Sequence, residues 1–199
     1  MKKIYIAIIV AMFGVTSAWS QAFWTVNYDM GVPLGDFSEY IGEPSWRGFS
    51  INGNGYLTDN ILLGGSYHWS GFYEHNQRDT YQRDNGALTS EVWKKMYFSN
   101  FLFNASYMFI PEGKFQPYLG IGMGAYHVEQ NTQAGRYATV SKNWKFGFSP
   151  QAGLYMPFGG FNDWGINVKA TYNSIFYNVG DINTLSYLSV SVGIGFYAW

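Results

Sequence analysis

The 199-residue chain contains no cysteine. That excludes a disulfide framework, a lipoprotein anchor after a leader, and any thiolate metal site. Charge is scarce: only 13% of the residues are Asp, Glu, Lys or Arg, against about a quarter in an average globular chain. Nor does any apolar stretch approach the roughly 18 residues that a membrane-crossing helix needs. Without Lys2 and Lys3, the 12 basic residues fall to 10 against 13 acidic ones, a net charge of −3. Such a balance provides no basic patch to meet phosphates, so a nucleic-acid partner is not expected. What the chain has instead is aromatic residues, 21% of the total, and 24 glycines.

The N-terminus reads as a secretory signal peptide. Lys2 and Lys3 form a positive start, Ile4 to Val15 is uncharged and apolar, and small residues follow at Ser17, Ala18, Ser20 and Ala22. The expected organisation is a leader over 1–20, cleaved after Ser20 or Ala22, and a single domain over 21–199.

Within that domain eight segments alternate in character, at roughly 22–31, 47–57, 61–74, 95–110, 115–128, 144–157, 165–177 and 186–199. The connectors 32–46, 75–94 and 129–143 are long, 58–60, 111–114 and 158–164 are short, and 178–185 is intermediate. Long loops on one side and short turns on the other describe an antiparallel up-and-down barrel with two unlike rims. Tight-turn residues agree, in Thr58-Asp59-Asn60 and in Pro111-Glu112-Gly113-Lys114.

The alternation has a hand. In the last segment Leu188, Val190, Val192, Ile194 and Phe196 share one face, with Ser189, Ser191, Gly193 and Gly195 on the other. In the fourth, Tyr97, Phe101, Phe103 and Tyr107 oppose Asn100, Asn104 and Ser106. Large aromatics on one side and small polar groups on the other are what lipid outside and a polar lumen require. The alternative is a soluble barrel with the same alternation turned inside out. Charges favour the membrane. Only Asp29 and Lys169 fall well inside segments, both with lumen parity; nearly all the rest sit in connectors or at segment ends. The expected fold is therefore all-β: an eight-stranded transmembrane barrel. Trp24, Trp69, Tyr97, Trp144, Trp164 and Tyr177 near segment ends suggest the aromatic girdles of such a barrel.

Phe115-Gln116-Pro117-Tyr118-Leu119-Gly120-Ile121-Gly122-Met123-Gly124 resembles a strand of the outer membrane protein β-barrel domain family, the small barrels of OmpA, OmpX and OmpW type. Leu63-Gly64-Gly65-Ser66-Tyr67 and the run from Asn27-Tyr28-Asp29-Met30-Gly31 to Pro33-Leu34-Gly35-Asp36-Phe37 are similar too. The resemblance implies integral residence in the outer membrane of a Gram-negative bacterium, with outer membrane lipid around the barrel and both termini periplasmic. It also implies the barrel assembly machinery as a partner, through the C-terminal strand ending in the aromatic Trp199. Trp199 and Tyr197 have the parity opposite to Phe196 and Ile194, a departure from the family pattern. An extracellular partner is expected but unknown.

Candidate chemistry is sparse. Gly120-x-Gly122-x-Gly124 lies on a strand, not in a loop opening a helix, so it is not a dinucleotide site. The three histidines do not pair. His68 and Ser70 share a face with Glu74, but two strand steps span about 6–7 Å, so a catalytic dyad would need a partner from another strand. No enzyme, cofactor or metal is expected. Asp29 and Lys169 are expected to pair inside the lumen, in a polar network with Asn27, Asn167, Thr171 and His68. An eight-stranded lumen is just wide enough for side chains to fill, and Tyr56, Tyr118, Tyr126, Gln151 and Tyr155 have lumen parity. The expected function is a non-enzymatic barrel with a structural or surface-interaction role. Its contact surface would be the loop after His75, with Arg78, Asp79, Tyr81, Arg83 and Asp84. The alternative, implied by the resemblance to OmpW, is a narrow channel for small apolar molecules. Phe98, Leu102 and Met108 on the inner face are its one hint.

Overall fold

A computed structural model describes residues 22–83, 86–134, 137–158, 164–179 and 182–198; for 76–83, 86–92, 134, 137–138, 179 and 182 only the backbone is described. The expected leader, Asp84 and Trp199 lie outside the described residues.

Eight strands form a closed antiparallel barrel in chain order: β1 (Ala22–Leu34), β2 (Gly48–Tyr56), β3 (Ile61–Arg83), β4 (Gly86–Met108), β5 (Gln116–Ala134), β6 (Tyr137–Pro157), β7 (Trp164–Val179) and β8 (Ile182–Ala198). Closure comes from β1 pairing with β8, Ala22 opposite Ala198 through Leu34 opposite Ser186. No strand edge is left along the shared wall. One short helix, α1 (Asp36–Tyr40), interrupts the connection from β1 to β2. We call the rim carrying both chain ends the terminal rim and the opposite one the far rim.

Three of the expected long and intermediate loops are not loops. The ladder between β3 and β4 continues from Ile61 opposite Tyr107 to Arg83 opposite Gly86, with one irregularity between Asn76 and Asp79. Likewise β5 and β6 stay paired from Gln116–Tyr155 to Ala134–Tyr137, and β8 begins at Ile182. The sequence pattern fades there because a ribbon beyond the bilayer has water on both faces. It keeps its ladder hydrogen bonds but no longer needs apolar residues at every second position.

The wall is apolar outside and polar inside. Exposed residues include Val26, Tyr28, Ile51, Phe101, Phe103, Leu119, Ile121, Met123, Phe146, Val192 and Ile194. Buried ones include Thr25, Asn27, Asp29, Ser50, His68, Asn100, Asn104, Ser149, Asn167, Lys169, Thr171 and Ser191. One girdle assignment fails: Tyr177 is buried in the lumen and its hydroxyl donates to Gln130 Oε1 at 3.1 Å. Between β6 and β7 the register is continuous, but the ladder omits Pro150, which has no N–H to give.

Candidate functional site

The lumen is stacked in three levels. Nearest the terminal rim lies a tyrosine-rich layer of Phe23, Leu62, Met108, Tyr118 and Tyr155, with Tyr56 and Tyr197 packed against it. The Tyr197 hydroxyl donates to Gln116 Oε1 at 2.8 Å and lies 3.3 Å from the Tyr56 hydroxyl. Tyr197 thus points inward, as its parity requires.

The middle level holds the polar residues. Asn167 Nδ2 donates to Asn27 Oδ1 at 2.8 Å, and Asn27 Nδ2 donates to Thr25 Oγ1 at 3.2 Å and Ser50 Oγ at 3.3 Å. The Ser50 hydroxyl donates to Asp29 Oδ1 at 3.0 Å. Asn52 Nδ2 donates to Thr25 Oγ1 at 2.8 Å, and Asn52 Oδ1 accepts from Lys169 Nζ at 3.1 Å. The structure therefore brings Asn27, Asn167, Asp29 and Lys169 into one bonded chain. The expected direct pairing of Asp29 with Lys169 is not there. The carboxylate meets Ser50 and His68, whose Nδ1 lies 3.6 Å from Asp29 Oδ2, while the ammonium goes to Asn52. Register explains this, because Asp29 faces Ser191 on β8 and Lys169 faces that same Ser191 from β7. A whole strand separates the two. Thr171 shares the face, but its buried hydroxyl has no hydrogen-bond partner among the described residues.

Gly193 makes the Asn27–Asn167 bond possible. It stands between them on β8, opposite both. A Cβ there would lie 2.0 Å from the Val26 carbonyl oxygen and 2.7 Å from Asn27 Oδ1. Only glycine lets the two amides meet over the strand.

His68 also corrects the expected spacing. Its Nε2 lies 3.1 Å from Ser66 Oγ, two residues along the same strand. Side chains that lean along a strand close a gap that the backbone repeat leaves open. Ser66, His68 and Asp29 thus line up as a serine, an imidazole and a carboxylate, all three buried. A separate cavity, lined by Lys169, Asn52, Thr25, Ser106 and Gln151 and by Phe23, Leu62 and Tyr118 of the tyrosine-rich layer, measures about 20 Å³, room for about one water. Among the described residues no group of three His, Asp or Glu is placed to hold a metal ion.

Toward the far rim the lumen turns aromatic, and α1 closes it. Phe37 and Ile41 are fully buried against Phe72, Phe98, Tyr187, Leu185, Ile175 and their neighbours. The Phe37 ring meets Phe72 edge-on at 5.0 Å and Phe98 at 5.5 Å. Below this plug the Tyr126 hydroxyl bonds Ser149, which donates to Asn173 Oδ1 at 2.8 Å. Above it a polar latch holds the helix. Lys94 Nζ donates to the Tyr40 carbonyl at 2.8 Å and lies 3.7 Å from Glu74 Oε1. Glu74 Oε2 accepts the Gly42 N–H at 2.6 Å, and the Tyr40 and Thr132 hydroxyls share a hydrogen bond at 2.7 Å. In the sequence pattern Phe37, Tyr40, Ile41, Lys94 and Thr132 fall in connectors and Glu74 at the end of a segment, so the plug is not among the expectations. Its signal is Phe37 and Ile41, four apart in an otherwise polar stretch, the spacing of one helix face.

Of the expected contact surface, Arg78, Asp79, Tyr81 and Arg83 lie on the β3 extension with only their backbone described, and Asp84 falls outside the described residues.

A closed eight-stranded barrel with a polar, side-chain-filled interior and an apolar exterior defines an integral membrane β-barrel. The chain belongs to the family described as the outer membrane protein beta-barrel domain, whose model matches residues 6–196. Integral residence in a Gram-negative outer membrane follows from that membership. Its fold is similar to that of Ail, the attachment invasion locus protein of Yersinia pestis, with 11% identity, a TM-score of 0.55, and 90% of this chain and 99% of that one covered. It is similar also to the outer membrane protein OprG of Pseudomonas aeruginosa, with 12% identity, a TM-score of 0.54 and coverage of 90% and 96%. The outer membrane protease OmpT of Escherichia coli aligns at 10% identity and a TM-score of 0.51, with coverage of 89% and 96%. Comparison with the curated proteins found no match.

Proposed function

We propose that this protein is a non-enzymatic, non-conducting outer membrane barrel that works as a structural element and as a platform for contacts at its far rim. The observation that carries the reading is the fully buried pair Phe37 and Ile41, which places the chain's own helix in the mouth of the barrel. The serine–histidine–carboxylate line lies buried between the plug and the tyrosine layer, so it serves the hydrogen bonding of the lumen. In this reading the far rim is extracellular and both termini are periplasmic. The β3–β4 ribbon, with Arg78, Asp79, Tyr81, Arg83 and Asp84, is the contact surface, and the strand ending in Trp199 engages the assembly machinery. The leader is removed after Ser20 or Ala22.

The second reading, a narrow channel for small apolar molecules, draws on the lining under α1: Phe72, Phe98, Leu102, Ile175 and Leu185 would face the passage if the helix withdrew. Single-channel recording of the folded protein in a planar bilayer separates the two. Stable insertion with no discrete current steps is the expected result; reproducible steps would overturn the closed-lumen reading in favour of the channel.

A further inference from the structure

The outward face of β3 changes character along its length. From the terminal rim it runs Ile61, Leu63, Tyr67, Trp69, Tyr73 and His75. Tyr67 packs against Phe101 at 5.0 Å, Phe49 against Trp69 at 6.0 Å, and Trp69 stacks on Tyr97 at 6.2 Å. At about 3.3 Å per residue and a tilt of about 40°, the path from Ile61 to Tyr73 rises about 30 Å. The apolar band of such a barrel is about 25 Å tall, so Tyr73 stands a few ångströms beyond the hydrocarbon, where lipid headgroups lie.

Two cations occupy that level on the outward face. The Arg47 guanidinium lies over the Tyr73 ring at 5.4 Å. Lys95 stands directly opposite Tyr73 in the ladder, with its ammonium 6.0 Å from the Trp93 ring. Of the other lysines toward this rim, Lys94 is satisfied by Glu74 and Tyr40 and Lys142 by Glu129 at 2.9 Å, while Lys145 lies on the inward face over the buried Tyr177 ring at 5.3 Å. Neither Arg47 nor Lys95 has an ion-pair partner among the described residues. The described outward side chains of β2, β3 and β4 include no carboxylate. Aromatic rings hold both cations without neutralising them.

We propose that Arg47 and Lys95, flanking Tyr73, form a clamp for the phosphate of an anionic lipid headgroup in the leaflet at the far rim. The chains of that lipid run down the aromatic stripe of Tyr97, Trp69 and Phe49, and its phosphate meets two donors of the right sign. The clamp depends on bilayer residence and not on the closed lumen, so silent or conducting behaviour leaves it standing.

The test uses the full folded chain in nanodiscs of equal parts phosphatidylglycerol and phosphatidylcholine, with retained lipids counted by native mass spectrometry. One phosphatidylglycerol is expected to stay bound in preference to phosphatidylcholine. A cation near a charged headgroup changes retention about fivefold, so the double variant Arg47→Gln/Lys95→Gln should lose about 25-fold. Lys142→Gln, at the same rim but already paired, should lose none. Equal retention of the two lipids, an unaffected double variant, or an equal loss in Lys142→Gln would each overturn the clamp. Should the double variant fail to fold, the wild-type protein in pure phosphatidylcholine discs decides. Its melting temperature should rise with added phosphatidylglycerol and stay unchanged with millimolar inorganic phosphate. A rise with both would mean a site for free phosphate, and a rise with neither would mean no site; either result overturns the lipid assignment.

Discussion

The polar middle of the lumen places two charged groups where water hardly enters, and each is held by other side chains rather than by its opposite. Asp29 depends on Ser50 and His68, and Lys169 on Asn52. An isolated buried charge is costly, so removing one of two opposite charges exposes the cost of the other. Lys169→Met is expected to lose about 3 kcal/mol, measured by urea unfolding in lipid vesicles. Adding Asp29→Asn should restore part of that loss, because no lone charge then remains. Strict additivity of the two changes would show that the groups do not sense one another across β8. Parity alone brought Asn27, Asn167, Asp29, Lys169, Thr171 and His68 to one side of the wall. Which of them bond was not legible, because pairing across a barrel depends on stagger. A one-residue shift between β7 and β8 would present Lys169 to a different neighbour.

At the scale of the element, the decisive piece is α1. A five-residue helix has no stability of its own; it persists because Phe37 and Ile41 are buried and because Lys94 and Glu74 hold its end. Lys94→Met removes the bond to the Tyr40 carbonyl and the charge partner of Glu74 while leaving the barrel wall intact. Hydrogen exchange at the amides of 36–42 should quicken by about tenfold, for a loss of about 1.5 kcal/mol from a charge-assisted bond. Exchange in β5 and β8 should not change. Equal acceleration in those strands would mean that the latch supports the barrel and not the plug. Strands inside the bilayer were placed within a few residues, since each face has a different solvent. The extensions of β3, β4, β5 and β6 carry no such signal and look like loops in sequence, because water on both faces erases the period of two.

The whole molecule is an inside-out arrangement, and that inversion can be measured. In a soluble barrel an outward valine meets water, and lysine in its place costs little. Here the outward residues of β8, Val190, Val192 and Ile194, are exposed to what the family places around them, the outer membrane. Val192 lies midway along the apolar run, whereas Val140, equally outward, sits on the β6 extension beyond Trp144. A lysine at mid-membrane costs about 2–4 kcal/mol, falling to about 0–1 kcal/mol near the interface. Val192→Lys should therefore lower folding stability in phospholipid vesicles by several times as much as Val140→Lys, with both compared by equilibrium unfolding in urea. The difference arises from depth, since both positions face outward and take the same side chain. Equal small costs would place water around the whole barrel. A larger cost at Val140 would put the apolar band at the height of the ribbons, and with it would move the headgroup level away from Arg47 and Lys95.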